Sequence, residues 1–199
     1  MKFDPPFLIE TLDGLPKRLR AAFAALCAER LAPAYTSFAE RNGLNPEELS
    51  LMLERLWRDL EGDELSLEQL RAYAQASEAL IPDGDADWVG SPAYGDDAAA
   101  ALAYAFRARL AGDSREAVSA AQRVHDALDH FVIAQEGIDL NASGAEQRVL
   151  SHPSIQQEFA RQRHDLDQLG KLPNDPSGSV VLSRLRQEAK DGAHRFLIG

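Results

Sequence analysis

Apolar positions recur along the chain at helical spacing, and in one stretch they occupy almost every position. The segment from Asp96 to Leu110 reads DDAAAALAYAFRARL, and after its two opening aspartates the only charges are Arg107 and Arg109. A helix that is apolar on nearly every side is buried rather than amphipathic, and Ala and Leu favour helix. The pattern therefore predicts a central helix at about residues 96–111, shielded by the other helices.

Apolar stripes with three- and four-residue spacing predict the remaining helices. They lie at about residues 5–12, 16–42, 46–60, 66–81, 113–136, 146–150, 153–169 and 179–190. Pro33 is expected to kink or break the second of these helices, because a proline inside a helix removes a backbone hydrogen bond. The whole chain, residues 1–199, is thus expected to form one all-α domain, a bundle of about seven to nine helices around the alanine-rich helix.

The charge balance restricts the classes of partner. The chain carries 32 acidic and 21 basic residues, for a formal net charge of −11. An acidic surface repels phosphate groups, so neither nucleic acid nor a membrane surface is an expected partner. The N-terminal residues lack the apolar core of a signal peptide, and no stretch approaches the ~20 apolar residues of a membrane span. We expect the chain to be a cytoplasmic protein of bacterial type.

The motifs of familiar metal and cofactor sites do not match. The single cysteine, Cys27, excludes an internal disulfide and a Cys-rich metal site. Residues 83–94 begin like a calcium loop, but an EF-hand needs Gly at its sixth position and Glu at its twelfth, where this sequence has Trp88 and Tyr94. The sequence therefore predicts no bound metal and no cofactor, and it offers no catalytic residue.

Polar residues on apolar stripes are the first candidate for a specific role. Arg30 continues an apolar face of its helix, and Gln162 stands between Phe159 and Leu166. An amide buried without a partner costs roughly 2–7 kcal/mol, and an unpaired buried charge costs more. We therefore hypothesise that Arg30 meets Glu158 across packed helices. The remaining members of this network are Gln162, Glu29 and Tyr35. Such a network either fixes the register of the helices or lines a polar pocket for a small ligand.

The segment at residues 82–95 is the second candidate, together with the helix that carries His125. His125 and Asp129 lie four residues apart, so the carboxylate can orient the imidazole. The simpler interpretation is a half-buried histidine that is hydrogen-bonded to its neighbour on the same helix. The alternative is a loop pocket. Its candidate residues are Asp87, Trp88, Tyr94, His125 and Asp129.

Three segments of the chain resemble one family. They are residues 24–43 (AALCAERLAPAYTSFAERNG), the stretch from Ile81 through the alanine-rich helix to Gly112, and residues 152–162 (HPSIQQEFARQ). In this order the chain resembles the YjaG-like bacterial proteins, the DUF416 family of unknown function. The resemblance implies a compact all-helical fold in a single cytoplasmic domain. It implies no established activity and supplies no active-site residues.

Two functional hypotheses follow from these observations. The first is a non-enzymatic helical protein that acts through protein–protein contacts, either with itself as a homodimer or with another protein. The second is an enzyme or small-ligand-binding protein with a pocket near the 82–95 segment and His125. A closed pocket with convergent polar groups would favour the second hypothesis. A symmetric interface of more than about 1,000 Å² without such a pocket would favour the first.

Overall fold

The fold is known from a computed structural model of the chain, which describes residues 2–81 and 93–193. Every regular element within these ranges is helical, which confirms the predicted all-α class. The α-helices are α1 (Pro5–Asp13), α2 (Lys17–Arg41), α3 (Glu48–Leu60), α4 (Leu67–Glu78), α5 (Ala93–Ala111), α6 (Ser114–Glu136), α7 (Ala145–Leu150), α8 (Pro153–Leu169) and α9 (Ser179–Asp191). Of the helices so described, none combines the length and apolar character needed to cross a membrane.

Two helices, α2 and α5, form the centre of the bundle. The side chains of α5 between Ala98 and Ala108 are buried at all positions except Tyr104 and Arg107. In α2, the run from Ala21 to Leu31 is buried on every side. The two helices pack along each other, while α6 and α4 also pack on α5. The alanine-rich helix is central, as predicted, and it shares that position with α2.

The α5 helix begins earlier than its aspartates suggest. Asp96 and Asp97 are predicted to open the helix, but it already starts at Ala93. Asp97 therefore lies inside the helix and is buried. The sequence pattern alone does not show this earlier start, because it depends on tertiary packing. The first turn of α5 packs against the Phe38 ring of α2 close to Gly95.

The α2 helix continues through Pro33 without a break. It extends over 25 residues, although Pro33 has no N–H to donate to the carbonyl of Glu29. Packing of the largely buried turns on both sides supplies the stability that the lost hydrogen bond removes. Of the kink or break predicted at Pro33, the break does not occur.

Local caps fix the helices that carry the candidate sites. The Asp113 carboxylate accepts a hydrogen bond from the Arg115 N–H at 2.9 Å and opens α6. Gly137 ends α6 with a φ of 56°, a left-handed conformation that glycine adopts at low cost. The α8 helix begins at Pro153, where the His152 Nδ1 accepts from the Ser154 N–H at 3.3 Å. These caps place His125 in the middle of α6 and Glu158 in the second turn of α8.

Candidate functional site

A buried ionic cluster connects α2 with α8. Arg30 Nη1 lies 3.3 Å from Glu158 Oε1, and Arg30 Nη2 donates to Asp165 Oδ2. The Gln162 amide donates to Glu158 Oε1 at 3.0 Å. All four side chains are almost completely buried. The structure thus brings Arg30, Glu158 and Gln162 together, and it adds Asp165, which the sequence analysis does not name.

The electrostatics of the cluster follow from two carboxyl groups sharing one guanidinium. Burial raises the pKa of the Asp165 carboxyl, and the charge of Arg30 only partly opposes this shift. For Arg30, the attraction of Glu158 and Asp165 outweighs burial, so its pKa lies above the ordinary value and the guanidinium stays charged. Burial also raises the pKa of the Cys27 thiol far above its usual range. A thiol in this state is protonated and is a poor nucleophile.

Two members of the hypothesised network lie elsewhere. The Glu29 carboxylate accepts from Arg186 Nε at 2.6 Å, and Arg186 Nη2 also donates to Glu54 at 2.7 Å. Tyr35 is also buried, and burial together with the nearby charge of Glu48 raises the pKa of its phenol. Successive helix residues point in directions about 100° apart. Glu29 and Tyr35 therefore face different neighbours from those of Arg30.

The space beside the cluster is too small for a metabolite. Gln162 borders a hollow with Phe3, Phe7 and Phe159 whose volume is about 20 Å³. One water molecule needs roughly 10–15 Å³ on such a measure, whereas ligand pockets measure about 300–1,000 Å³. This geometry supports a structural role for the Arg30 cluster.

A ligand-sized cavity lies beside His125. Its volume is about 310 Å³, and its walls come from the N-terminal residues, α6, the loop that follows α6, and α7. The polar lining residues are Lys2, His125, Asp129 and Glu146. The apolar lining residues are Phe3, Ile133, Leu140, Val149 and Leu150. Mostly apolar walls with a few converging polar groups are characteristic of small-molecule sites.

The imidazole in this cavity is held by aromatic rings and is not fully hydrogen-bonded. The His125 ring contacts Phe3 edge-on at 5.4 Å and Phe159 at 5.5 Å between centroids. His125 Nδ1 is buried 3.4 Å from Asp129 Oδ2, yet it makes no hydrogen bond within the described part of the chain. Burial raises the pKa of the Asp129 carboxyl, and the charge of Asp126 adds to the effect, whereas His125 and His130 oppose it. The pair is close but incompletely satisfied.

Of the three other residues of the predicted loop pocket, only Tyr94 belongs to the described part of the chain. Tyr94 is half-buried in the first turn of α5 and does not line the His125 cavity. Burial and the charge of Asp97 raise the pKa of its phenol. Asp87 and Trp88 lie outside the described residues. Of the three candidates that lie within the described residues, His125 and Asp129 line one cavity and Tyr94 does not.

A second, more open groove lies at the proline turn of α2. Its volume is about 390 Å³, and Glu29, Pro33, Glu40 and Lys190 are among its lining residues. The Glu29 carbonyl lacks its intrahelical donor here because Pro33 has no N–H. The groove has few large apolar walls, since its apolar lining consists of Ala32, Pro33 and Ala193. It resembles a small-molecule site less than the His125 cavity does.

Asp97 is a buried acidic residue, although its position in the sequence predicts only the start of a helix. Its Oδ1 lies 3.4 Å from Arg123 Nη1, and its Oδ2 is buried without a hydrogen bond from any described residue. Burial raises the pKa of this carboxyl to about 7, with Arg123 opposing the shift and Asp126 adding to it. One signal could have identified the residue, because Asp97 directly precedes the run of buried alanines.

Metal binding finds no support in these groups. Among residues 2–81 and 93–193, no three His, Cys, Asp or Glu side chains are arranged to hold an ion. The His125–Asp129 pair alone provides two ligands at most, and a structural zinc site needs four. The pair is better suited to orienting a bound organic molecule.

Comparison with known proteins identifies the family. A family model described as "Protein of unknown function (DUF416)" matches residues 8–194. The chain belongs to the DUF416 family. A crystal structure of a DUF416 protein from Shewanella baltica OS155 is similar in fold, with a TM-score of 0.76 and 20% sequence identity over 92% of this chain and 93% of that one. No protein with a curated description matches the chain. Membership of DUF416 therefore defines the fold, whereas the function has to be inferred from the geometry of the site.

Proposed function

We propose that this DUF416 protein binds a small amphipathic molecule in the cavity beside His125. The observation that carries the proposal is the convergence of His125 and Asp129 on an apolar-walled cavity of about 310 Å³. This volume lies at the lower end of the range for ligand pockets. The apolar wall can hold a short hydrocarbon body, while the imidazole and carboxylate can contact one polar end.

The incomplete hydrogen bonding of His125 supports this proposal. A buried polar group without a partner costs about 1–3 kcal/mol, and the Nδ1 of His125 is in this situation. A ligand that reorients Asp129 or contacts the imidazole would recover part of this cost. Ligand binding would therefore offset the energetic cost of burying His125 Nδ1 without a hydrogen-bond partner.

A nuclear magnetic resonance titration with 1-hexanol tests the proposal without assuming the charge of the ligand. We expect concentration-dependent chemical-shift changes at the amides of Ile133, Leu140, Val149 and their neighbours. Shift changes scattered over the surface, without saturation, would contradict the proposal.

Two matched tryptophan substitutions locate the binding. Ile133→Trp places a large ring in the cavity wall and should abolish the saturable shifts. Val180→Trp introduces the same ring at a highly exposed position on α9 and should leave binding unchanged. Circular dichroism confirms that each variant keeps its helical content. Equal hexanol affinity in the two variants would place the site elsewhere.

A further inference from the structure

The charges around the His125 cavity indicate what kind of polar end its ligand carries. Resting on the proposed function, we infer that the ligand is an organic cation, an aliphatic amine whose ammonium group binds Asp129 and whose hydrocarbon chain lies along the apolar wall. The cavity gives this molecule one anionic anchor beside a hydrocarbon surface.

The formal charge of the lining favours a cation. Asp129 and Glu146 are acidic and Lys2 is basic, while His125 adds a positive charge only when it is protonated. The whole chain has a net charge of −11, so its long-range field attracts cations and repels anions. Lys2 and Glu146 are both exposed, and solvent weakens the effect of such charges at the rim.

The position of Asp129 makes it the anchor. Its side chain is half-buried 3.4 Å from His125 Nδ1, and this contact is not a hydrogen bond. The carboxylate therefore has acceptor capacity that no described residue fills. An ammonium group donates up to three hydrogen bonds, and charge-assisted bonds of this kind are about twice as strong as neutral ones.

The apolar wall accounts for the rest of the molecule. Ile133, Val149 and Leu150 contribute hydrocarbon surface to the cavity that Asp129 lines. Leu140 also lines the cavity and is 62% exposed, so a ligand chain would cover surface that water now contacts. Each buried methylene contributes about 0.8 kcal/mol. A chain of several carbons is therefore needed for binding of useful strength.

Isothermal titration calorimetry with three six-carbon probes tests the inference. At pH 7.5, hexylamine is a cation, 1-hexanol is neutral and hexanoate is an anion, by analogy with lysine and glutamate side chains. We expect hexylamine to bind roughly tenfold more tightly than 1-hexanol, and hexanoate to bind most weakly. Hexanol or hexanoate binding as tightly as hexylamine would overturn the inference, and tight hexanoate binding would make Lys2 the anchor.

A substitution of the anchor separates this inference from the proposed function. Asp129→Asn should reduce hexylamine affinity roughly tenfold and leave hexanol affinity unchanged. Asp167→Asn removes a fully exposed charge on α8 and should change neither affinity. An unchanged preference for the amine in Asp129→Asn would overturn the inference. If none of the three probes binds to the unsubstituted protein, the proposed function itself fails.

Discussion

Arg30 illustrates how a single buried charge can determine the packing of two helices. Its guanidinium is enclosed between α2 and α8 and contacts both Glu158 and Asp165. Buried ion pairs add little net stability compared with apolar packing, but removing one partner leaves uncompensated charge behind. The cluster therefore fixes which face of α8 meets α2.

Replacing Arg30 with leucine should be strongly destabilising. Arg30→Leu leaves two buried carboxyl groups without a cation, so we expect the free energy of unfolding to fall by about 3–5 kcal/mol. Urea denaturation followed by circular dichroism measures this change. Arg184→Leu, which removes an exposed arginine on α9, should cost less than about 1 kcal/mol. Similar losses in both variants would show that the Arg30 cluster has no special role.

Asp97 should make the stability of the protein depend on pH. Its pKa is about 7 in the folded protein, compared with an ordinary value of 3.8, chiefly because the carboxyl is buried. Between these two values the folded state holds a proton that the unfolded state releases. The contribution of Asp97 to the free energy of unfolding therefore falls as the pH rises through this range, and it is least favourable above pH 7.

The substitution Asp97→Asn should remove this dependence. The amide stays neutral at every pH, so the variant should match the unsubstituted protein near pH 4 and exceed its stability at pH 8. The difference should amount to a few kcal/mol at most, since one pKa unit corresponds to about 1.4 kcal/mol. Urea unfolding at several pH values measures it. A difference that stays constant between pH 4 and pH 8 would contradict the assignment.

At the scale of the elements, the close approach of α2 and α5 depends on small residues. Alanines fill the buried faces of both helices, and Gly95 allows the first turn of α5 to approach α2. A Cβ atom at Gly95 would lie 2.7 Å from Cδ1 of the Phe38 ring. A stiff aromatic ring cannot move aside easily in a packed interior. Gly95 is therefore required by packing.

Gly95→Ala tests this requirement against helix propensity. Propensity alone would stabilise the helix by up to about 1 kcal/mol. We expect overpacking to dominate and to lower the free energy of unfolding by about 1–3 kcal/mol. In a Phe38→Ala background the same substitution should cost less, because the two ring atoms closest to the added Cβ are gone. Thermal unfolding measures all four proteins. A stabilising effect of Gly95→Ala would contradict the packing model.

The elements differ in how far the sequence could predict them. Ser66 and Gln69 form a capping box at the start of α4, with both reciprocal hydrogen bonds present. Such a signal is local, so the start of this helix can be predicted from the sequence. Pro33 and Asp97 were misinterpreted because their outcomes depend on the neighbouring helix. Packing overrides the usual effect of a proline in α2, and it extends α5 beyond the aspartates that could have begun it.

At the scale of the whole molecule, the sequence does not show which side chains from distant segments come together in the site. Arg30 and Gln162 stand out because a polar residue interrupts an apolar stripe, and this signal identifies residues that need a partner. It does not identify every partner: Arg30 contacts the expected Glu158 but also Asp165, while Glu29 binds Arg186 of α9. For the cavity, the spacing of His125 and Asp129 indicated the pair, whereas the walls come from segments distant in sequence.

Self-association also stays a prediction at this scale. Within residues 2–81 and 93–193, four large apolar side chains expose more than half of their surface, and they lie on different elements: Leu51, Leu67, Leu140 and Val180. Isolated exposed apolar residues are normal for a monomer. Sedimentation equilibrium tests whether the chain of 21.8 kDa forms a homodimer. A single-chain mass at every concentration up to about 100 µM, where complexes of micromolar Kd are largely formed, would rule out a stable homodimer.

The central claim is that the cavity beside His125 is the binding site of a small organic molecule. A crystal structure of the protein grown with saturating hexylamine tests it most directly. We predict that the amine nitrogen lies within about 3.2 Å of an Asp129 carboxylate oxygen and that the carbon chain contacts Ile133, Val149 and Leu150. An unoccupied or collapsed cavity, or an amine bound only elsewhere on the surface, would contradict the account.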